Sequence, residues 1–167
     1  MLLAKGADLG VTPYGTEAMG ILRIEKGHIA GPELDGRTTP ADLGLAKMMR
    51  GEKDFVGKPL LQRPPSARAG RMALVGLIPL DRDSRLRSGA QLTLEASAKP
   101  PVAMLGHVTS ACFSPHMGHP IALALVAGGE ERAGQTLYAC FPLRGETVAV
   151  KVVKPVFVDP EGRNLHA

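Results

Sequence analysis

From residue 71 onward the sequence is a succession of six short apolar runs, at 71–80, 91–94, 106–111, 121–127, 135–140 and 147–153. Each is β-branched or alternating in polarity, and each is closed off by Gly, Pro, Asp or Ser, which predicts strands joined by tight turns. Six such strands fit a small barrel or a sandwich, and closure would protect edges that otherwise invite pairing with other chains. The 20 glycines and 14 prolines point the same way, since short strands with tight loops need them and a helical bundle does not. With aromatics at 4% and no Trp, the core must be built mainly from Ala, Val, Leu and Ile.

The stretch before these strands reads differently. Residues 1–5 look like the tail of a helix stopped by Gly6, as in a chain that starts inside a domain. Thr12-Pro13 offers a cap followed by proline at the first helical position, predicting a short helix through Met19. Residues 22–25 then alternate as a strand with one buried face would, and Gly27, Gly31 and Gly36 divide the next dozen residues into turns. Thr39-Pro40-Ala41-Asp42 is a near capping box, which predicts a helix that carries Leu43, Leu45, Ala46 and Met49 inward and ends near Gly51. Residues 53–59 introduce another short helix through Leu60 and Leu61. Pro64-Pro65-Ser66-Ala67-Arg68-Ala69-Gly70 joins two helix breakers to small and basic residues and is the best boundary in the chain, dividing 1–65 from 70–167. The charged stretch 81–87 is read as a solvated loop.

A length of 167 residues fits one large domain, or one domain plus part of another. The formal charge of +4 is spread along the chain with no aromatic stacking platform, which argues against nucleic acid and suits an anionic small ligand as well as an ordinary surface. The N-terminus lacks the apolar core and cleavage site of a signal peptide, and the longest apolar run falls far short of the ~20 residues that cross a bilayer. Two cysteines without a secretion signal imply no disulfide framework, and a reducing cytoplasm is the expected location.

No phosphate loop, dinucleotide fingerprint or serine-nucleophile elbow is present. Cys112, His116 and His119, with His107, are the sharpest candidates for a metal, yet their spacing is not a standard one and no metal is expected. Cys112 and Cys140 lie at the edges of apolar runs, where buried thiols are commonly inert. Thr38, Thr39 and Asp42 are explained by capping. Arg23 is the residue to single out, because a guanidinium beside a cleft grips a carboxylate with two parallel hydrogen bonds. An internal ion pair with Glu25 or Asp35 is the structural alternative, and Glu25 could be its support or a surface carboxylate.

The stretch from Leu22 to Leu45, which opens Leu-Arg-Ile-Glu, is followed in order by Val75-Gly76-Leu77, Gly106-His107-Val108-Thr109-Ser110-Ala111-Cys112-Phe113-Ser114-Pro115, Ile121-Ala122-Leu123-Ala124-Leu125 and Lys154-Pro155-Val156-Phe157-Val158. This series resembles the aminomethyltransferase superfamily, the glycine-cleavage T-protein and its relatives, and most closely the C-terminal region of the alpha subunit of heterotetrameric sarcosine oxidase. The resemblance implies an α+β chain: the C-terminal part of a folate-binding domain over 1–65, then a small antiparallel β-barrel over 70–167. It implies that Arg23 contacts tetrahydrofolate and that the parent enzyme oxidatively demethylates sarcosine to glycine. FAD, FMN and NAD would belong to other parts of that complex, and the partners would be the remaining alpha-subunit domains and the other subunits, with no nucleic acid or membrane. The family's assisting carboxylate and pterin-reading glutamate would lie upstream, so this chain alone would be inactive and no catalytic residue is assigned to it. A glycine-cleavage aminomethyltransferase fragment, or a non-catalytic binding module, are the competing expectations. Many relatives carry an aromatic hydroxyl where Val158 stands, which removes that ligand contact here, and Phe157 is expected in the core.

Overall fold

The computed structural model describes residues 1–49, 54–63, 66, 69–96 and 102–165. Its centre is β4 (His119–Ala127), whose apolar side chains are buried on both faces. Ala122, Ala124 and Val126 point into one core, and Ile121, Leu123 and Leu125 into another. A strand covered on both sides has no polar face to show, which is why this run is continuously apolar instead of alternating.

The first core is the interior of a closed antiparallel barrel in the order β1-β4-β3-β2-β5-β6, completed by β1 (Met72–Pro79), β2 (Gln91–Thr93), β3 (Gly106–Ser114), β5 (Thr136–Phe141) and β6 (Glu146–Val153). All six predicted runs are strands, and closure settles the choice between barrel and sandwich. Val75, Leu77, Leu92, Val108, Leu137 and Val150 fill the interior, a core of aliphatic residues as the composition requires. Of the charged stretch, residues 81–83 and 85 are exposed. Leu86 instead joins the interior, and Arg87 bonds both carboxylate oxygens of Glu146 at 2.5 and 2.9 Å.

The second core lies on the outside of β1, β3 and β4, where the segment before the barrel covers them. There α1 (Leu2–Gly6) leads to α2 (Thr16–Glu25), which lays Ile24 on Ile121 and Leu123 alongside Leu43 and Leu74. Phe157, from the segment after β6, packs on the same cluster, as expected of a core residue.

Two local expectations are corrected. Residues 22–25 are not a strand but the last turn of α2, since Ala18, Ile21 and Glu25, and Gly20 with Ile24, follow helical spacing. Four alternating residues are too few to separate the two periods. The helix starts after Gly15 instead of Thr12, whose hydroxyl turns back to the carbonyl of Gly10 at 3.3 Å. The second correction concerns residues 39–51. The capping box forms, with Thr39 N–H donating to Asp42 Oδ2 at 2.7 Å and Asp42 N–H to Thr39 Oγ1 at 3.3 Å. No α-helix follows, because the Asp42 carbonyl accepts from Leu74 N–H of β1 at 2.7 Å and Gly44 turns left-handed at φ +75°. Only a 3-10 turn, Ala46–Met49, remains, while Leu43 is buried and Leu45 packs against the outer core. The short helix through Leu60 and Leu61 is α3 (Lys58–Leu61). The expected end at Gly51, the start at Lys53 and the prolines of the 64–70 boundary lie outside the described residues.

Candidate functional site

Helix α2 ends at Glu25, and two residues on Gly27 takes the left-handed conformation at φ +69° while His28 N–H bonds back to the carbonyl of Arg23 at 2.8 Å. That stop fixes the last turn against β3 and sets Arg23 between two other elements. Arg23 Nη1 donates to Glu33 Oε2 at 2.8 Å and Nη2 to Ser110 Oγ at 2.6 Å, with a long contact of 3.4 Å from Nη1 to the His28 carbonyl. Its ion pair is therefore with Glu33, and neither Glu25 nor Asp35 takes that place.

Glu33 ends a 3-10 turn, Gly31–Glu33, and is fully buried. Its Oε2 also accepts from Ala30 N–H at 2.8 Å, and its Oε1 accepts from Ser110 Oγ at 2.6 Å. Burial pushes this carboxyl up, but the Ser110 hydroxyl, the Ala30 amide and the Arg23 charge outweigh it and hold the group below its ordinary 4.5. Glu33 is thus a fixed anion, and Arg23 is clamped to it on one edge. Among the described residues, the edge bearing Nε has no partner, and neither does the second N–H of Nη2.

Arg23 lines two clefts, one on each side of α2. The first, about 680 Å³, runs between α2 and the barrel past Glu17, Arg85, Cys112 and Phe113. The second, about 430 Å³, is walled by Tyr14, Met19, Leu22, Lys26 and Val158. A planar, partly apolar ligand with an acidic or hydrogen-bonding edge matches such surroundings: walls that mix apolar and charged side chains, with the Arg23 guanidinium offering parallel donors to both clefts.

Glu25 is neither a support for Arg23 nor a surface group. It is buried, its Oε1 accepts from Ser114 Oγ, and Ser114 Oγ accepts from Met117 N–H at 3.0 Å. Its carbonyl takes the N–H groups of Phe157 and Val158 at 2.9 and 3.0 Å, which pins the segment after β6 against α2. Lys26 Nζ reinforces that seam by bonding the carbonyl and, at 3.1 Å, the Oδ2 of Asp159. Asp35 is occupied by Arg37, whose Nη2 lies 2.6 Å from its Oδ2. Thr39 and Asp42 bond each other's amides across a turn, with no α-helix to cap, and Asp42 in addition binds Arg71 Nη2 at 2.5 Å and Nε at 2.9 Å.

The proposed metal candidates are dispersed. His119 is buried with Nδ1 2.8 Å from the Pro120 carbonyl, His116 is exposed, and His107 lines a separate cleft beside Arg37 and Arg71. Among the described residues no three His, Cys, Asp or Glu side chains gather to hold a metal. The Cys112 thiol is pushed up to about 11 by burial and by the Glu25 charge, against a smaller opposite pull from Arg23. At that value it is protonated at neutral pH and a poor nucleophile.

Arg23 is marked in the sequence by its chemistry, whereas its partners Glu33 and Ser110, and Ser114 beside Glu25, are not. Glu33 carried a readable signal, a carboxylate three residues after Ala30 across a Gly-Pro turn, which is where a side chain reaches back to the turn's first amide. Nothing local marks the serines, because their role depends on which face of β3 they occupy.

The family model for the glycine cleavage T-protein C-terminal barrel domain matches residues 73–159, and that for the GCVT N-terminal domain matches residues 1–53. The sarcosine oxidase subunit alpha of Rhizobium meliloti (strain 1021) is 43% identical over 99% of this chain, and that of Corynebacterium sp. (strain P-1) is 40% identical over 95%. The chain spans only 17% and 16% of those proteins. An aminomethyltransferase of Nitrosomonas europaea is 35% identical over 89% of the chain, which covers 39% of it. The crystal structure of glycine cleavage system aminomethyltransferase T from Bartonella henselae superposes with a TM-score of 0.76 at 26% identity, over 95% of this chain and 44% of that one. No helix among the described residues is long and apolar enough to cross a membrane.

Proposed function

Because this chain belongs to the glycine cleavage T-protein family, we propose that it is part of a sarcosine oxidase alpha subunit and supplies one wall of its tetrahydrofolate site. The oxidase is preferred to a glycine-cleavage aminomethyltransferase because the identity is higher, 43% against 35%, and extends over more of the chain. Tetrahydrofolate, when bound, takes up the one-carbon unit released as sarcosine is demethylated to glycine. The observation that carries the reading is the Arg23 guanidinium, anchored by Glu33 and Ser110, left with unpartnered N–H groups among the described residues, and lining two clefts.

The chain's own residues bind and orient. Arg23 offers parallel donors to a carboxylate or to the polar edge of a pterin, and Leu22 and Met19 supply apolar contact and displace water. Holding the acceptor in one pose raises its effective concentration at the reacting carbon, so that transfer outruns hydrolysis. FAD, FMN and NAD fall to other parts of the complex, and those parts are the partners of this chain. The cytoplasm is the compartment this reading assigns.

Arg23→Ala in the full parent enzyme is expected to weaken tetrahydrofolate binding by about tenfold, equivalent to ~1.4 kcal/mol. Sarcosine-dependent flavin reduction should suffer far less. Equal loss of both would identify the arginine as structural. Arg23→Lys should recover little, since an ammonium cannot offer two parallel N–H groups.

A further inference from the structure

We propose that Ser110 is a positioning residue for the folate-binding arginine, orienting the Arg23 guanidinium from the barrel side. The proposal rests on the assignment of Arg23 to the folate site. A serine hydroxyl has one proton to give and lone pairs to accept with, and here both capacities are used within the same triangle. Ser110 Oγ donates to Glu33 Oε1 at 2.6 Å and accepts from Arg23 Nη2 at 2.6 Å. The guanidinium is thus held at two nitrogens by two different elements, the 3-10 turn through Glu33 and the barrel through Ser110. Glu33 alone would leave it free to pivot about Nη1.

The strand is shaped to make this contact. In β3 the pairing with β4 runs Val108 opposite Ala124, then skips Thr109 and resumes with Ser110 opposite Leu123. Val108 and Ala124 face the barrel interior, and Leu123 faces outward to α2. An unbroken register would set Thr109 opposite Leu123 and turn Ser110 into the interior beside Ala122. The extra residue reverses that and brings Ser110 out to the helix. Thr109 spends its hydroxyl on the Leu123 carbonyl at 3.0 Å, so among the described residues the irregularity leaves no buried polar side-chain atom without a partner.

The test is a double-mutant cycle in the full parent protein, read as the tetrahydrofolate dissociation constant by titration, with thermal unfolding of each variant as the control for folding. Ser110→Ala should weaken binding by several-fold to about tenfold on its own. In an Arg23→Ala background it should have no further effect, and Ser110→Thr, which keeps the hydroxyl, should recover most of the affinity. Additive losses in the cycle would overturn the proposal by showing that Ser110 acts independently of Arg23. Normal affinity in Ser110→Ala while Arg23→Ala binds weakly would overturn it too and leave the folate reading standing. Normal affinity in Arg23→Ala would remove both. If Ser110→Ala fails to fold, Ser110→Cys, which keeps the size but is a weak hydrogen-bonding group, takes its place with the same expected loss.

Discussion

Glu33 is a fully buried carboxylate whose charge is matched within one cluster, so its ionisation bears directly on stability. Glu33→Gln keeps the shape but removes the charge that holds Arg23, and should destabilise the fold by about 1–3 kcal/mol at neutral pH. Since the folded carboxyl titrates below the unfolded value of 4.5, its contribution is complete above that pH and is lost as the pH falls through the lowered folded value. The stability gap between wild type and Glu33→Gln, measured by denaturant titration at several pH values, should therefore be constant near neutrality and close on the acid side. A gap independent of pH down to strong acid would mean that the charge contributes nothing. At this scale the sequence disclosed Arg23 through its chemistry and its motif, but not its partners. Glu25 and Asp35 were the candidates that its chemistry suggested, whereas the true partner comes across a Gly-Pro turn and the second from 87 residues away.

The elements obey a different division. The barrel strands could be read because each combines the right residue types with turn residues at its ends, and burial on both faces of β4 shows as unbroken apolarity. The covering segment could not, since its backbone is set by tertiary hydrogen bonds: Leu74 N–H takes the Asp42 carbonyl that a helix would need, and Phe157 and Val158 take that of Glu25. Where α2 meets the segment after β6, Gly27 has φ +69° and a Cβ there would stand 2.5 Å from the Pro155 carbonyl oxygen. Gly27→Ala is accordingly expected to cost about 1–3 kcal/mol and to loosen the Lys26–Asp159 seam. Thermal unfolding gives the first number, and faster amide exchange at Phe157 and Val158 gives the second. A neutral Gly27→Ala would show that this junction yields without strain.

For the molecule as a whole, apolar side chains are distributed unevenly. Leu2, Leu3, Leu9, Val11, Tyr14, Met19 and Leu22 are all exposed, and they crowd the first 22 residues while the barrel interior is sealed. Where exposed apolar side chains lie together they mark a contact face more often than a free surface. The isolated chain should bind the dye ANS and associate at high concentration, and Met19→Glu with Leu22→Glu should reduce both, as read by fluorescence and sedimentation. Unchanged dye binding in that variant would place the sticky surface elsewhere. The order of the barrel strands has one more consequence. β1 is made before every other strand of the barrel, yet among the described residues it pairs only with β4 and β6, Gly76 lying opposite Leu123 and Val153. On the ribosome, therefore, its edge waits unpaired until most of the barrel has emerged, while β3–β4 and β5–β6 can zip as local hairpins. The closing step is left to the first and last strands, a slow event governed by loop-closure entropy, and the growing chain is most vulnerable to aggregation in that interval.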